Sequence, residues 1–208
     1  MQRAMDTAEV RTALVGSYPK PQWLYAGSGR ELLDDVGQSL REVEREVGED
    51  AFRRAGDRAT TGSVADQDGA GLDWVTDGEE RRDHYVLYVL RGLEGVDFGR
   101  LTQRSIRDGR YERAVPTVTA PFAWRGPVLV EDYRFLAERA AGLPKVGLPG
   151  PFTAIDNVAD AAYGGDREEM GFAIAAALRQ EVEALVEAGC RLVQFDDPVL
   201  LRHPAEAQ

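Results

Sequence analysis

Short runs of β-branched and aromatic residues alternate along the chain with longer stretches whose apolar positions recur every three or four residues. That alternation predicts an α/β protein built on a parallel sheet. Five strands are expected, at residues 12–17, 73–76, 115–120, 145–148 and 191–195. Between them, Leu33, Val36, Leu40, Val43 and Val47 predict a helix over 30–47 that Gly48 stops. A second helix over 50–70 carries a weaker pattern, because Gly56 and Gly62 interrupt it. A third starts near residue 83 with Tyr85, Val89 and Leu93 on one face, and a fourth is marked by Leu129, Tyr133, Leu136 and Ala140. The clearest runs over 167–188, with Asp166 and Glu169 placed as a capping box and Met170, Ile174, Leu178, Val182 and Leu185 on one stripe. Gly189 ends it. The polar stretch 94–113 fits neither period and is expected to be an irregular insertion.

The chain of 208 residues is long enough for one sizeable core, so residues 1–208 are expected to form a single domain. Its net charge of −11 argues against nonspecific nucleic-acid binding, which needs basic patches to displace counterions. No apolar run approaches the roughly 18 residues of a membrane span, and the first residues lack the apolar core of a signal peptide. A single cysteine, Cys190, rules out an intrachain disulfide and makes a cytoplasmic location the default expectation.

Parallel α/β folds gather their chemistry at the carboxyl ends of the strands. Gly16 and Ser17 follow the first predicted strand, and Asp77 and Glu79 the second. Gly150, Pro151 and Thr153 follow the fourth, and Asp196 and Asp197 the fifth. Carboxylates at two strand ends suit a pocket that grips an ammonium group or handles a proton. The glycines let backbone approach a ligand closely. Each of these residues also has a structural reading. Asp77 and Glu79 could cap a helix or pair with Arg81 and Arg82, and Asp196 could merely hold a loop. His84, just past the acidic pair, reads as a helix-surface residue or as a proton carrier, and Cys190 as a small core residue. Gly27-Ser28-Gly29 lacks the spacing of a phosphate loop.

Four segments carry a resemblance. They are Val15-Gly16-Ser17-Tyr18-Pro19, then Gln67 to Arg82 (QDGAGLDWVTDGEERR), then Leu148-Pro149-Gly150-Pro151-Phe152-Thr153, and last Val193-Gln194-Phe195-Asp196-Asp197-Pro198-Val199-Leu200. In this order they resemble the cobalamin-independent methionine synthase family. The resemblance implies a (β/α)8 TIM-type barrel that moves a methyl group from a 5-methyltetrahydrofolate-type donor to a thiol activated on zinc. It implies that Val15, Gly16 and Ser17 contact the acceptor, and that Glu79 and Asp196, with Asp77 beside them, bind its ammonium group. Trp124 and Trp74 are candidate stacking surfaces for the donor, and His84 is the candidate catalytic proton carrier. Where the family has Asp-Glu-Pro, this chain has Asp196-Asp197-Pro198, one methylene shorter at the second carboxylate.

The family's zinc ligands, a His-x-Cys pair, a Glu and a further Cys from the last three strands, have no counterpart here. One Cys and two His, with His203 in a polar tail, do not make a zinc site. No metal ligand is therefore expected in this chain. About five βα units cannot close a barrel. The expected fold is α/β, a partial TIM-type barrel completed by a partner chain that supplies the remaining strands and the zinc ligands. The expected function is one component of a zinc-dependent, cobalamin-independent methyltransferase. The alternative is a non-catalytic binding or regulatory relic of the same barrel.

Overall fold

The computed structural model describes residues 10–25, 36–106 and 111–201. The predicted helix residues 30–35, Gly27-Ser28-Gly29 and His203 lie outside them.

The chain enters through α1 (Gln22–Tyr25) and then α2 (Val36–Val47), whose Leu40 is fully buried. α3 (Glu49–Gly69) is a continuous helix of 21 residues in spite of its glycines. A Cβ at Gly56 would lie 2.9 Å from Arg81 Cγ, so this glycine permits close packing and does not break the helix. The buried face of α3 is small and polar, with Gly56, Ala59, Thr60, Ser63, Val64 and Gln67, which is why its apolar period is faint.

The parallel arc starts from an isolated bridge between Ala13 and Trp74 of β1 (Trp74–Val75). α4 (Tyr85–Leu90) follows, and then a departure from the sequence expectation. The described residues of the stretch expected to be irregular, 94–106 and 111–113, are not irregular. They belong to a long antiparallel hairpin of β2 (Leu93–Ile106) and β3 (Tyr111–Trp124), paired from Leu93 opposite Trp124 to Ile106 opposite Tyr111. Register shifts after Glu94 and after Asp97 break the simple alternation by which a strand is read, and one face of the hairpin is wet. Arg104 ties the hairpin down by donating to the Val158 carbonyl at 2.5 Å.

α5 (Val130–Ala137) has Glu131 and Asp132 in its first turn. β4 (Leu143–Pro144) pairs with β1, and β5 (Val146–Pro149) directly continues the run. The short α6 (Pro151–Asp156) and β6 (Ala159–Asp160) come next, with β6 parallel to β3. α7 (Arg167–Glu187) begins as predicted, with Asp166 accepting the Glu169 amide at 2.9 Å. β7 (Val193–Asp196) pairs with β5, and a 3-10 turn at Pro198–Leu201 follows.

The strand expected at 115–120 therefore forms, but within the hairpin sheet and not in the arc. Among the described residues the arc has four parallel members instead of five: the Ala13 segment, β1, the β4–β5 run, and β7. The main core lies under α7 and joins Leu90, Val118, Leu129, Leu148, Ile174 and Leu178. At the two ends of the arc, Val15 is 70% and Phe195 49% exposed. Among the described residues, no helix is long and apolar enough to cross a membrane.

Candidate active site

The parallel members all end on one face, and the predicted motif residues meet there. The loop after β1 is built first. Gln67 on α3 donates to the Thr76 carbonyl and accepts the Thr76 amide, both at 2.9 Å, which fixes where the strand ends. Thr76 Oγ1 donates to the Gly16 carbonyl at 3.1 Å and accepts the Gly78 amide at 3.1 Å. Gly78 and Glu79 both take positive φ, 66° and 56°. A left-handed glutamate is uncommon, and such backbone persists only where its surroundings hold it. Here the Glu79 amide donates to Asp77 Oδ1 at 3.0 Å, and Lys20 Nζ donates to the Glu79 carbonyl at 2.5 Å.

That backbone aims the Glu79 side chain at the glycines of two neighbouring strands. A Cβ on Gly16 would lie 2.8 Å from Glu79 Oε1 and 3.7 Å from Asp196 Oδ2. One on Gly147 would lie 3.5 Å and 3.4 Å from the same atoms. The two carboxylates thus converge over backbone that only glycine leaves open. Ser17 Oγ donates to Glu79 Oε2. Arg82, 2% exposed, donates to the Gly147 carbonyl at 2.9 Å, with Asp77 Oδ2 at 3.4 Å and Glu79 Oε1 at 3.5 Å.

Val15, Gly16, Ser17, Glu79 and Asp196 therefore lie together at the strand ends. Asp77 lies behind them, engaged by Arg82 and the Glu79 amide. The remaining candidates take other positions. His84 is the N-cap of α4, its Nδ1 facing the amides of Val86 and Leu87 at 3.2 and 3.3 Å and its Nε2 3.1 Å from Arg113. Trp124 Nε1 donates to Glu181 Oε2 at 2.9 Å, tying the hairpin to α7. Trp74 is half-buried in β1. Asp197 receives the amides of Phe152 and Thr153 and the Thr153 hydroxyl at 2.7–3.1 Å, capping α6. The shorter carboxylate fits because Gly150 stands against it: a Cβ there would lie 2.2 Å from Asp197 Oδ2.

Sequence reasoning missed three charged residues. Lys145, 2% exposed, donates to the Leu14 and Val15 carbonyls and, at 2.8 Å, to Gln194 Oε1. Burial pulls its ammonium below the ordinary lysine range, and Asp196 opposes the fall. Lys20 is lowered by burial in the same way, with Glu80, Glu79 and Asp77 opposing. Glu80, 1% exposed, has no partner on either carboxyl oxygen among the described residues, and burial pushes it up to about 7. A lone lysine between apolar strand residues was the available signal for Lys145.

The described residues do not form a zinc site. Among the described residues no group of three or more His, Cys, Asp or Glu is arranged to hold a metal. Cys190 is a buried core thiol, raised by that burial, and it faces the Leu192 carbonyl at 3.4 Å.

Comparison with known proteins places this geometry. Residues 10–205 match the family described as "Cobalamin-independent synthase, Catalytic domain". The methionine synthase of Saccharolobus solfataricus is 30% identical over 195 residues, covering 91% of this chain and 53% of that protein. The methionine synthase of Thermococcus kodakarensis is 29% identical, with 97% and 56% covered. A solved structure, the B12-independent methionine synthase from Shewanella sp. W3-18-1 in complex with selenomethionine, superposes with a TM-score of 0.73 at 34% identity. It matches 94% of this chain and 54% of its own. The chain spans about half the length of the relatives it matches.

Proposed function

The chain belongs to the cobalamin-independent synthase catalytic-domain family, and from that membership we propose that it is the acceptor-gripping half of a cobalamin-independent methyltransferase. Its partner is a complementary polypeptide that supplies the remaining barrel strands and the zinc ligands, and a methylated folate is the donor. The acceptor is an amino-acid thiol of the homocysteine type. One observation carries the reading: the Glu79 and Asp196 carboxylates, from two different strand ends, converge over Gly16 and Gly147. A fixed pair of anions over bare backbone is complementary to an ammonium group. The selenomethionine complex of the Shewanella protein supports an amino acid as the occupant, since that ligand carries the same ammonium.

In this reading the chain's residues bind and orient. Glu79 and Asp196 receive the ammonium protons, and Ser17 steadies Glu79 through Oε2, leaving Oε1 for the ligand. Arg82, buried behind the pair, sets a positive charge 3.5 Å from Glu79 Oε1. Holding the amine at two points restricts where the sulfur can lie, which is the positional contribution to group transfer. Glu79→Gln should weaken binding of L-homocysteine about tenfold or more with the fold intact, as loss of a charge-assisted hydrogen bond predicts. Calorimetry on the assembled enzyme measures this, and unchanged affinity overturns the role.

A further inference from the structure

Asp196 presents two oxygens, and the structure uses them differently. Oδ1 accepts from Gln194 Nε2 at 2.5 Å. Oδ2 is the oxygen that faces Glu79 Oε1 around Gly147 and, among the described residues, no donor engages it. What decides this division is the orientation of the Gln194 amide, and a lysine fixes that orientation. An ammonium only donates, so the atom of Gln194 that meets Lys145 Nζ at 2.8 Å must be the carbonyl oxygen. The amide nitrogen is then directed to the Val15 carbonyl at 3.1 Å and to Asp196 Oδ1. Lys145 also donates to the Leu14 and Val15 carbonyls, so one buried cation positions both the loop before Gly16 and the carboxylate across from it.

We propose that Lys145 and Gln194 are positioning residues for acceptor recognition: Lys145 locks the Gln194 amide, and Gln194 holds Asp196 so that Oδ2 meets the ammonium group. The proposal rests on the acceptor-gripping reading above and adds two residues that read as ordinary strand residues in the sequence. Neither touches the ligand. Their effect is on selectivity for an amine: without Lys145 the Gln194 amide is free to turn its donor away from Asp196, and without Gln194 Asp196 can rotate and pair with Lys145, which already lies within its electrostatic reach.

The test uses paired ligands on this chain assembled with the complementary polypeptide, followed by NMR titration. L-Methionine carries the ammonium group; 4-(methylthio)butanoate is the same molecule without it. The ratio of their affinities reports on the carboxylate clamp alone. Two variants are needed. In Lys145→Met an unbranched side chain of similar length removes the charge while keeping the space filled. In Gln194→Met, Lys145 keeps both backbone carbonyls and the loop stays tied. The wild-type chain should prefer L-methionine by about tenfold or more, and both variants should lose most of that preference while binding the des-amino compound as before. Retained preference in either folded variant overturns the positioning role and leaves the clamp standing. Equal weakening of both ligands also overturns it, because a merely structural defect does not distinguish them. A wild-type chain with no preference for the amine removes the clamp reading itself.

Discussion

Behind the loop that carries Glu79 sits Glu80, almost fully buried and without a hydrogen-bond partner among the described residues. Burial raises its pKa from 4.5 to about 7, with Lys20 working against the rise and Asp77 adding to it. The sign follows from linkage. At pH below 4.5 both folded and unfolded chains keep the proton, and the carboxyl imposes no charge burial. Between 4.5 and about 7 the unfolded chain releases its proton first, so stability falls as pH rises across that window. Glu80→Gln should flatten this part of the stability profile in denaturant unfolding followed from pH 4 to 8. Identical slopes for the two proteins would remove Glu80 as the cause. At this scale the sequence revealed the carboxylates at strand ends, because any parallel sheet collects its strand ends on one face. It hid Lys145, Gln194 and Glu80, because whether a polar side chain in a strand or loop faces solvent or a buried partner depends on residues far away in the chain, 49 to 179 positions for Lys145 and Gln194.

Among the elements, α6 shows how a departure from the family pattern is absorbed. Asp197, one methylene shorter than the family's glutamate, sits on the N-terminus of this six-residue helix and takes three hydrogen bonds from Phe152 and Thr153. Asp197→Ala should cost about 1 kcal/mol, as loss of a helix cap does, and lower the midpoint of thermal unfolding. Acceptor selectivity should be unaffected, because Asp196 is held separately by Gln194. An unchanged midpoint would contradict the capping role. The elements with a strong apolar stripe, α7 above all, were legible in the sequence. α3 was legible only faintly, because its buried face is made largely of glycine, serine, threonine and glutamine, of which Gln67 bonds to Thr76 and Gly56 packs against Arg81. The hairpin was misread as irregular because bulges displace its alternation and its outer face is polar. Its second strand, rich in β-branched residues, then passed for a member of the arc.

For the whole molecule, the decisive feature is that the arc is open. Four parallel members leave β7 and the segment around Ala13 with one unpaired edge each among the described residues, and Val15 and Phe195 are exposed there. Open edges invite pairing, and a barrel removes them. The relatives are about twice as long as the matched segment, and the described residues bring two carboxylates together over Gly16 and Gly147 but hold no metal cluster. On the function proposed above, the site divides between two parts of one barrel. The most direct test is zinc stoichiometry and methyl transfer for this chain, first by itself and then mixed with a polypeptide carrying the remaining strands and the His-x-Cys segment. Division of the site predicts a stable complex, stoichiometric zinc and transfer to homocysteine only in the mixture, all weakened by Glu79→Gln. Stoichiometric zinc bound by this chain unaided, or a mixture that neither associates nor transfers a methyl group, would contradict it.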